Sequence, residues 1–174
     1  MSVYVGIDPG KSGAVALLYD DNSLDVFDIS VFYDSTGASK CSANPRLVND
    51  WIAWKLKRKE VALCVCEKPI FAGRGFHIQT TMSTHESYGV FRCAFETANI
   101  PFRGVEPSTW LKSFPDLYHP KKRREKMESV CKAKELFPDS ASLFERACKK
   151  GKKIIMPDRA EAALIAYYGR ASSH

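Results

Sequence analysis

No stretch of the 174-residue chain is apolar for long enough to span a bilayer, which takes about 20 consecutive apolar residues. A membrane partner is therefore not expected. Gly6, Asp8 and Lys11 break the N-terminal apolar run, so no secretory signal is read there. The six cysteines (Cys41, Cys64, Cys66, Cys93, Cys131 and Cys148) are accordingly expected as free thiols in a cytoplasmic protein. Cys64 and Cys66 lie close together, but no second close pair of Cys or His completes a zinc site. His77, His85 and His119 show no partner spacing. Internal repeats and obvious linkers are also lacking, so residues 1–174 are read as one domain.

Charge is present, and unevenly placed. The net charge is +6 with a pI near 9.0, a balance that favours polyanionic partners because Lys and Arg displace counterions from a phosphate backbone. Lys121, Lys122, Arg123, Arg124 and Lys126 form one run, and Lys149, Lys150, Lys152 and Lys153 a second. Clustered like charge costs stability without a partner, so Lys121 to Arg124 are assigned to a DNA backbone rather than to the fold. A solvated loop is the alternative.

Val3–Ile7 reads as a strand stopped by Asp8-Pro9-Gly10. Gly13–Tyr19 and Leu24–Ile29 read as the next two strands, with Asp20-Asp21-Asn22 as their hairpin turn. Asn44-Pro45 opens a helix, and Val61–Cys66 is a strand buried on both faces. A helix over Ser83–Asn99, a fifth strand Phe102–Val105 and a short helix Pro107–Phe114 follow. Arg124–Phe137, Ser140–Lys150 and a last segment opened by Pro157 are read as helices. The pattern is α/β, with a five-stranded mixed sheet flanked by helices.

Four acids stand at chosen places in this pattern. Each alone has a local explanation. Asp8 fits a turn, Glu67 a solvated strand end, and Asp158 and Glu161 the positive end of a helix. Together they say more. If the first and fourth strands are neighbours, Asp8 and Glu67 emerge side by side. The last helix, with Asp158 and Glu161 three residues apart on one face, can cross that edge. Four carboxylates repel one another, and hard oxygen ligands suit Mg2+ or Mn2+. Two such ions, roughly 4 Å apart, can activate water and stabilise the leaving oxygen in phosphodiester hydrolysis, with no Ser, Cys or His nucleophile.

Gly6-Ile7-Asp8-Pro9-Gly10 with Gly13, then Glu67, then Asp158 and Glu161 on an Ala-rich helix, resembles the RuvC family of Holliday junction resolvases. The resemblance runs from about residue 3 to residue 170. It includes Val105-Glu-Pro-Ser-Thr-Trp-Leu-Lys112, and Glu125-Lys126 on the next helix. It implies an RNase H-like fold, a homodimer and paired, Mg2+-dependent nicking of opposed strands at a four-way junction. Asp8, Glu67, Asp158 and Glu161 would be the metal ligands, two ions per site, with no small-molecule cofactor. Lys126 would assist catalysis, and Lys112 would contact DNA. The helix Ser83–Asn99, with Tyr88, Val90, Phe91, Cys93, Ala94 and Phe95, is the expected dimer face, a central place in the core being the alternative. The chain departs from the family in having Glu161 where Asp is common. Phe71 is displaced by one residue from the family's junction-opening aromatic, and Phe76 is its substitute.

Phe71-Ala-Gly-Arg-Gly-Phe76 combines aromatics, Arg74 and glycines, which suits base stacking and phosphate contact as well as a plain turn. Trp51, Trp54 and Trp110 are assigned to core or interface. Three rival readings stand beside the resolvase. One is a nuclease of the same fold acting on flaps, other branched DNA or RNA–DNA hybrids, and another is an inert nucleic-acid-binding module. The third, an actin-like kinase fold, would need a second glycine-rich phosphate segment. The compact chain fits a bacterial, phage or other viral source.

Overall fold

A computed structural model describes residues 2–33, 42–70, 78–119, 125–147 and 153–173. Five strands form one sheet: β1 (Ser2–Asp8), β2 (Ala14–Tyr19), β3 (Leu24–Asp28), β4 (Glu60–Glu67) and β5 (Phe102–Val105), in the order β3-β2-β1-β4-β5. The first three form an antiparallel meander, and β4 and β5 run parallel to β1. This is the five-stranded mixed sheet expected from the sequence.

The β2–β3 hairpin turns at Asp21-Asn22. Asn22 takes φ 66, a left-handed conformation that Asn tolerates, and Asp21 Oδ1 accepts from the Ser23 amide at 2.9 Å. Val3 to Ile7 are buried throughout, whereas in β4 only Leu63 to Cys66 are, Val61 being half-buried and Ala62 exposed.

Two helical layers cover the sheet. On one face lie α1 (Pro45–Lys55) and α2 (Ile78–Thr97), burying Val48, Trp51, Ile52, Phe91 and Phe95 against Val5, Ile7 and Cys64. Asn44 caps α1, its Oδ1 accepting from the Arg46 amide at 2.9 Å, with Pro45 at the first helical position. On the other face lie α3 (Pro107–Leu111), α4 (Lys126–Leu136) and α5 (Pro157–Ala171), which bury Trp110, Val130, Ala133 and the alanine-rich face of α5 against Tyr4, Ala16 and Val65.

The sequence reading is corrected in two places. Helix α2 begins at Ile78, five residues before the expected Ser83. Ile78 and Met82 are exposed, so the first turns carry no buried stripe to read. Of the segment read as a helix over Ser140–Lys150, the described part is instead a 3-10 turn over Pro138–Phe144 followed by β6 (Glu145–Ala147). This strand pairs antiparallel with β7 (Lys153–Ile155), and the Met156 amide donates to Phe144 O at 2.9 Å, closing the ribbon. The β-branched pair Ile154-Ile155 supplies a partner that outweighs the helix preference of Glu145-Arg-Ala147.

Among the described residues no helix is long and apolar enough to cross a membrane. Cys64 and Cys66 are buried free thiols, and Cys93 and Cys131 are exposed free thiols. Cys41, Cys148 and His77 lie outside the described residues.

Candidate functional site

The parallel register of β1 and β4 sets Ile7 opposite Cys66, so Asp8 and Glu67, each one residue further on, leave the same edge side by side. Strand side chains alternate, so Asp8 shares a face with Gly6 and Tyr4, and Glu67 with Val65. That face is the one α5 covers. Gly6 lets α5 lie directly on β1. A Cβ there would meet Ala162 O at 2.1 Å and Ala166 N at 2.3 Å, both backbone atoms. Near the C-terminal end of α5, Gly169 faces Leu63, the partner of Tyr4 further back along β1, and Arg170 Nη1 donates to Tyr19 O opposite Val3. The helix thus runs antiparallel to β1 and lays its first turns, with Asp158 and Glu161, over the edge where Asp8 emerges.

The turn after β1 is equally close. A Cβ on Gly13 would sit 2.0 Å from Asp8 O, and the Gly13 amide donates to Gly10 O at 2.8 Å. The Gly10 amide in turn donates to Asp8 Oδ1 at 3.2 Å.

Burial pushes the Asp8 carboxyl well above the ordinary carboxylate range, and the charges of Glu67, Glu161 and Asp158 push it further. The Gly10 amide opposes them. The other three acids singled out in the sequence therefore all bear on Asp8. Each is also held by a neighbour. Trp110 Nε1 donates to Glu67 Oε2 at 2.7 Å, Ser129 Oγ donates to Glu161 Oε1 at 3.2 Å, and Lys126 Nζ lies 3.4 Å from Asp158 Oδ1. Among the described residues no three side chains converge closely enough to hold a metal ion as they stand. The donor set nevertheless fits a hard divalent cation: three further carboxylates bear on the half-buried Asp8 carboxyl, and all four acids offer oxygen ligands.

Arg159 fixes the start of α5. Its Nε and Nη2 donate to Asp28 Oδ1 and Oδ2 at 2.6 and 2.7 Å, and its Nη1 donates to Leu143 O at 3.1 Å. The fork-to-fork pair ties the end of β3 to the residue between Pro157-Asp158 and Ala160. Hydrogen bonds from Arg159 hold the Asp28 carboxyl below its usual range.

Of the cations named from the sequence, Lys126 reaches the acids. Lys112 is exposed just beyond α3, its ammonium 5.7 Å from the Tyr118 ring centroid. Phe71, Arg74, Phe76, Lys121, Lys122, Arg123 and Arg124 lie outside the described residues, as do Lys149, Lys150 and Lys152. The tryptophans divide. Trp51 and Trp110 are buried, whereas Trp54 is 74% exposed. Sequence reasoning missed the contacts that Trp110, Ser129 and Arg159 make with carboxylates. The one available signal was that a buried indole N–H needs an acceptor.

Of α2's expected dimer-face residues, Phe91, Ala94 and Phe95 are buried in the chain's own core, leaving Cys93 exposed and Tyr88 and Val90 half-buried.

No family model and no curated protein sequence matches the chain. Solved structures do. Thermus thermophilus RuvC in complex with a Holliday junction substrate superposes with a TM-score of 0.58 at 15% identity, covering 99% of this chain and 98% of that one. A second Thermus thermophilus RuvC structure gives 0.54 at 16% identity, with 98% and 97% covered. The yeast mitochondrial Holliday junction resolvase gives 0.55 at 16% identity, covering 97% of this chain and 78% of that one. With its β3-β2-β1-β4-β5 sheet and α5 laid across β1, the chain has the RNase H-like fold of RuvC-type Holliday junction resolvases.

Proposed function

We propose that the protein is a structure-specific endonuclease that cuts four-way or related branched DNA junctions by metal-dependent phosphodiester hydrolysis. One observation carries the reading: Asp8 lies in a shared field with Glu67, Glu161 and Asp158, at the strand edge of a fold common to junction resolvases. The neighbour from Thermus thermophilus is described in complex with a Holliday junction, and this chain's net charge of +6 suits the same polyanion.

Asp8, Glu67, Asp158 and Glu161 would hold Mg2+ or Mn2+. When bound, such ions acidify a water and offset charge on the leaving oxygen. The protein's own residues supply position. Gly6 sets the height of α5 above β1, Arg159 and Asp28 lock the start of that helix, and Ser129 holds Glu161. Lys126, with its side chain 66% exposed beside Asp158, can turn its ammonium toward a phosphate oxygen as charge develops there. Lys112 and the run Lys121 to Arg124 are assigned to the DNA backbone. Two opposed strands must be cut at a two-fold symmetric junction, so a homodimer using the outer face of α2 completes the proposal.

A substrate panel tests it: four-way junction, three-way junction, flap, duplex and RNA–DNA hybrid, each with Mg2+ and with chelator. The reading expects Mg2+-dependent nicking strongest on the four-way junction. Preferential cutting of the flap or hybrid would favour another nuclease of this fold. No cutting of any substrate would favour an inert binding module.

A further inference from the structure

We infer that Trp110 is a positioning residue for the acidic site, holding Glu67 in one rotamer so that the carboxylate meets an incoming divalent cation already ordered. The inference rests on the proposed function and deepens it.

The register of β4 and β5 pairs Glu67 with Val105, so the chain that leaves β5 enters α3 at the strand edge where Glu67 stands. Trp110 lies one turn into that helix and is wholly buried. Its ring meets Phe114 edge-on, with centroids 6.2 Å apart at 75°. Phe114 packs on Tyr167 of α5 at 6.0 Å, and Tyr167 on Phe137 at 6.2 Å. The indole is thus set in a chain of aromatic contacts joining α3 to the helix that carries Asp158 and Glu161. From this seat Nε1 donates to Glu67 Oε2 at 2.7 Å, a short bond to a carboxylate.

The choice of donor matters. An indole N–H can only donate, carries no charge and does not titrate in the working range of an enzyme. It therefore fixes the carboxylate without adding a cation that would compete with a metal, unlike an Arg or Lys in the same place. A glutamate has three side-chain torsions, and ordering them costs conformational entropy. Trp110 makes that ordering part of folding rather than of metal binding. Partners of this kind behind metal ligands are typically worth about 10- to 100-fold in metal affinity or activity.

The test is a double-mutant cycle on the DNA-free protein, with Mn2+ binding read by titration calorimetry. Trp110→Phe keeps a buried ring and removes the donor, and Glu67→Gln removes the carboxylate. Trp110→Phe is expected to weaken Mn2+ binding about tenfold in the wild-type background and to have no further effect beside Glu67→Gln. In cleavage assays kcat falls while KM for the junction holds. Equal loss in both backgrounds would mean Trp110 merely fills the core, and would overturn the inference. No effect of Glu67→Gln on Mn2+ binding would instead overturn the metal-site reading itself. A second measurement needs no core substitution. In 15N-labelled wild type, the Trp110 indole resonance should shift on Mg2+ addition, with Trp51 and Trp54 as internal references. A Trp110 signal unmoved while Mg2+ binds would also overturn the inference.

Discussion

Gly6→Ala is the smallest change that should reach the site without touching an acid. The added methyl would sit 2.1 Å from Ala162 O and 2.3 Å from Ala166 N, where ordinary contact begins at 3.4 Å. Both neighbours are α5 backbone, so no side-chain rotation relieves the overlap. The helix must lift by roughly 1 Å, or β1 must bend, and such overpacking costs about 1–3 kcal/mol. Taking the upper end, because backbone yields least, thermal unfolding should fall by about 6–12 °C for a chain of this size. The lift also moves Asp158 and Glu161 relative to Asp8. A displacement near 1 Å can cost about 100-fold in rate, so junction cleavage should drop by that order at a temperature where the variant remains folded. Differential scanning calorimetry and single-turnover cleavage measure the two effects. A variant with wild-type melting temperature and wild-type rate would show that α5 does not rest on β1 at Gly6, and the geometry argued for the site would fail.

Other outcomes follow from separate parts of the molecule. Hydrogen bonds from Arg159 depress the Asp28 carboxyl, so its stabilisation is present above the unfolded value near 3.9 and is lost as pH falls through the lower folded value. Asp28→Asn should flatten that acid-side loss in urea unfolding curves measured across pH 2–5; an unaltered acid slope contradicts the pairing. Replacing Lys121, Lys122, Arg123 and Arg124 by Ala should weaken junction binding and reduce the slope of log affinity against log salt by roughly one for each phosphate no longer neutralised. An unchanged slope would place that run in solvent. Cys93→Glu, on the exposed side of α2, should split a dimer in sedimentation velocity and uncouple the two nicks. A monomeric wild type, free and on a junction, would rule out paired cutting by a dimer.

Much of this arrangement was legible because it is written in local chemistry. Asp8-Pro-Gly ends a strand by turn preference, and Asn44-Pro45 caps a helix as expected. The four acids could be gathered from sequence once β1 and β4 were taken as neighbours, since strand alternation and helix periodicity dictate which faces they share. The remainder depends on pairings between distant segments. Trp110 reaches Glu67 across 43 residues, Ser129 reaches Glu161 across 32, and Arg159 reaches Asp28 across 131. No periodicity announces such pairs. The β6–β7 ribbon escaped for the same reason: Glu145-Arg-Ala147 favours helix by itself and becomes strand only against Lys153–Ile155. The start of α2 escaped because its exposed Ile78 and Met82 break the apolar stripe.

The central claim is that four carboxylates on one strand edge and one helix form a metal-dependent junction-cutting site. Asp8→Asn removes the half-buried acid at its centre while keeping its shape. Measured on a four-way junction with saturating Mg2+, in single turnover, the account predicts that this variant binds the junction as wild type does and makes no detectable nick. Cleavage at the wild-type rate would contradict it.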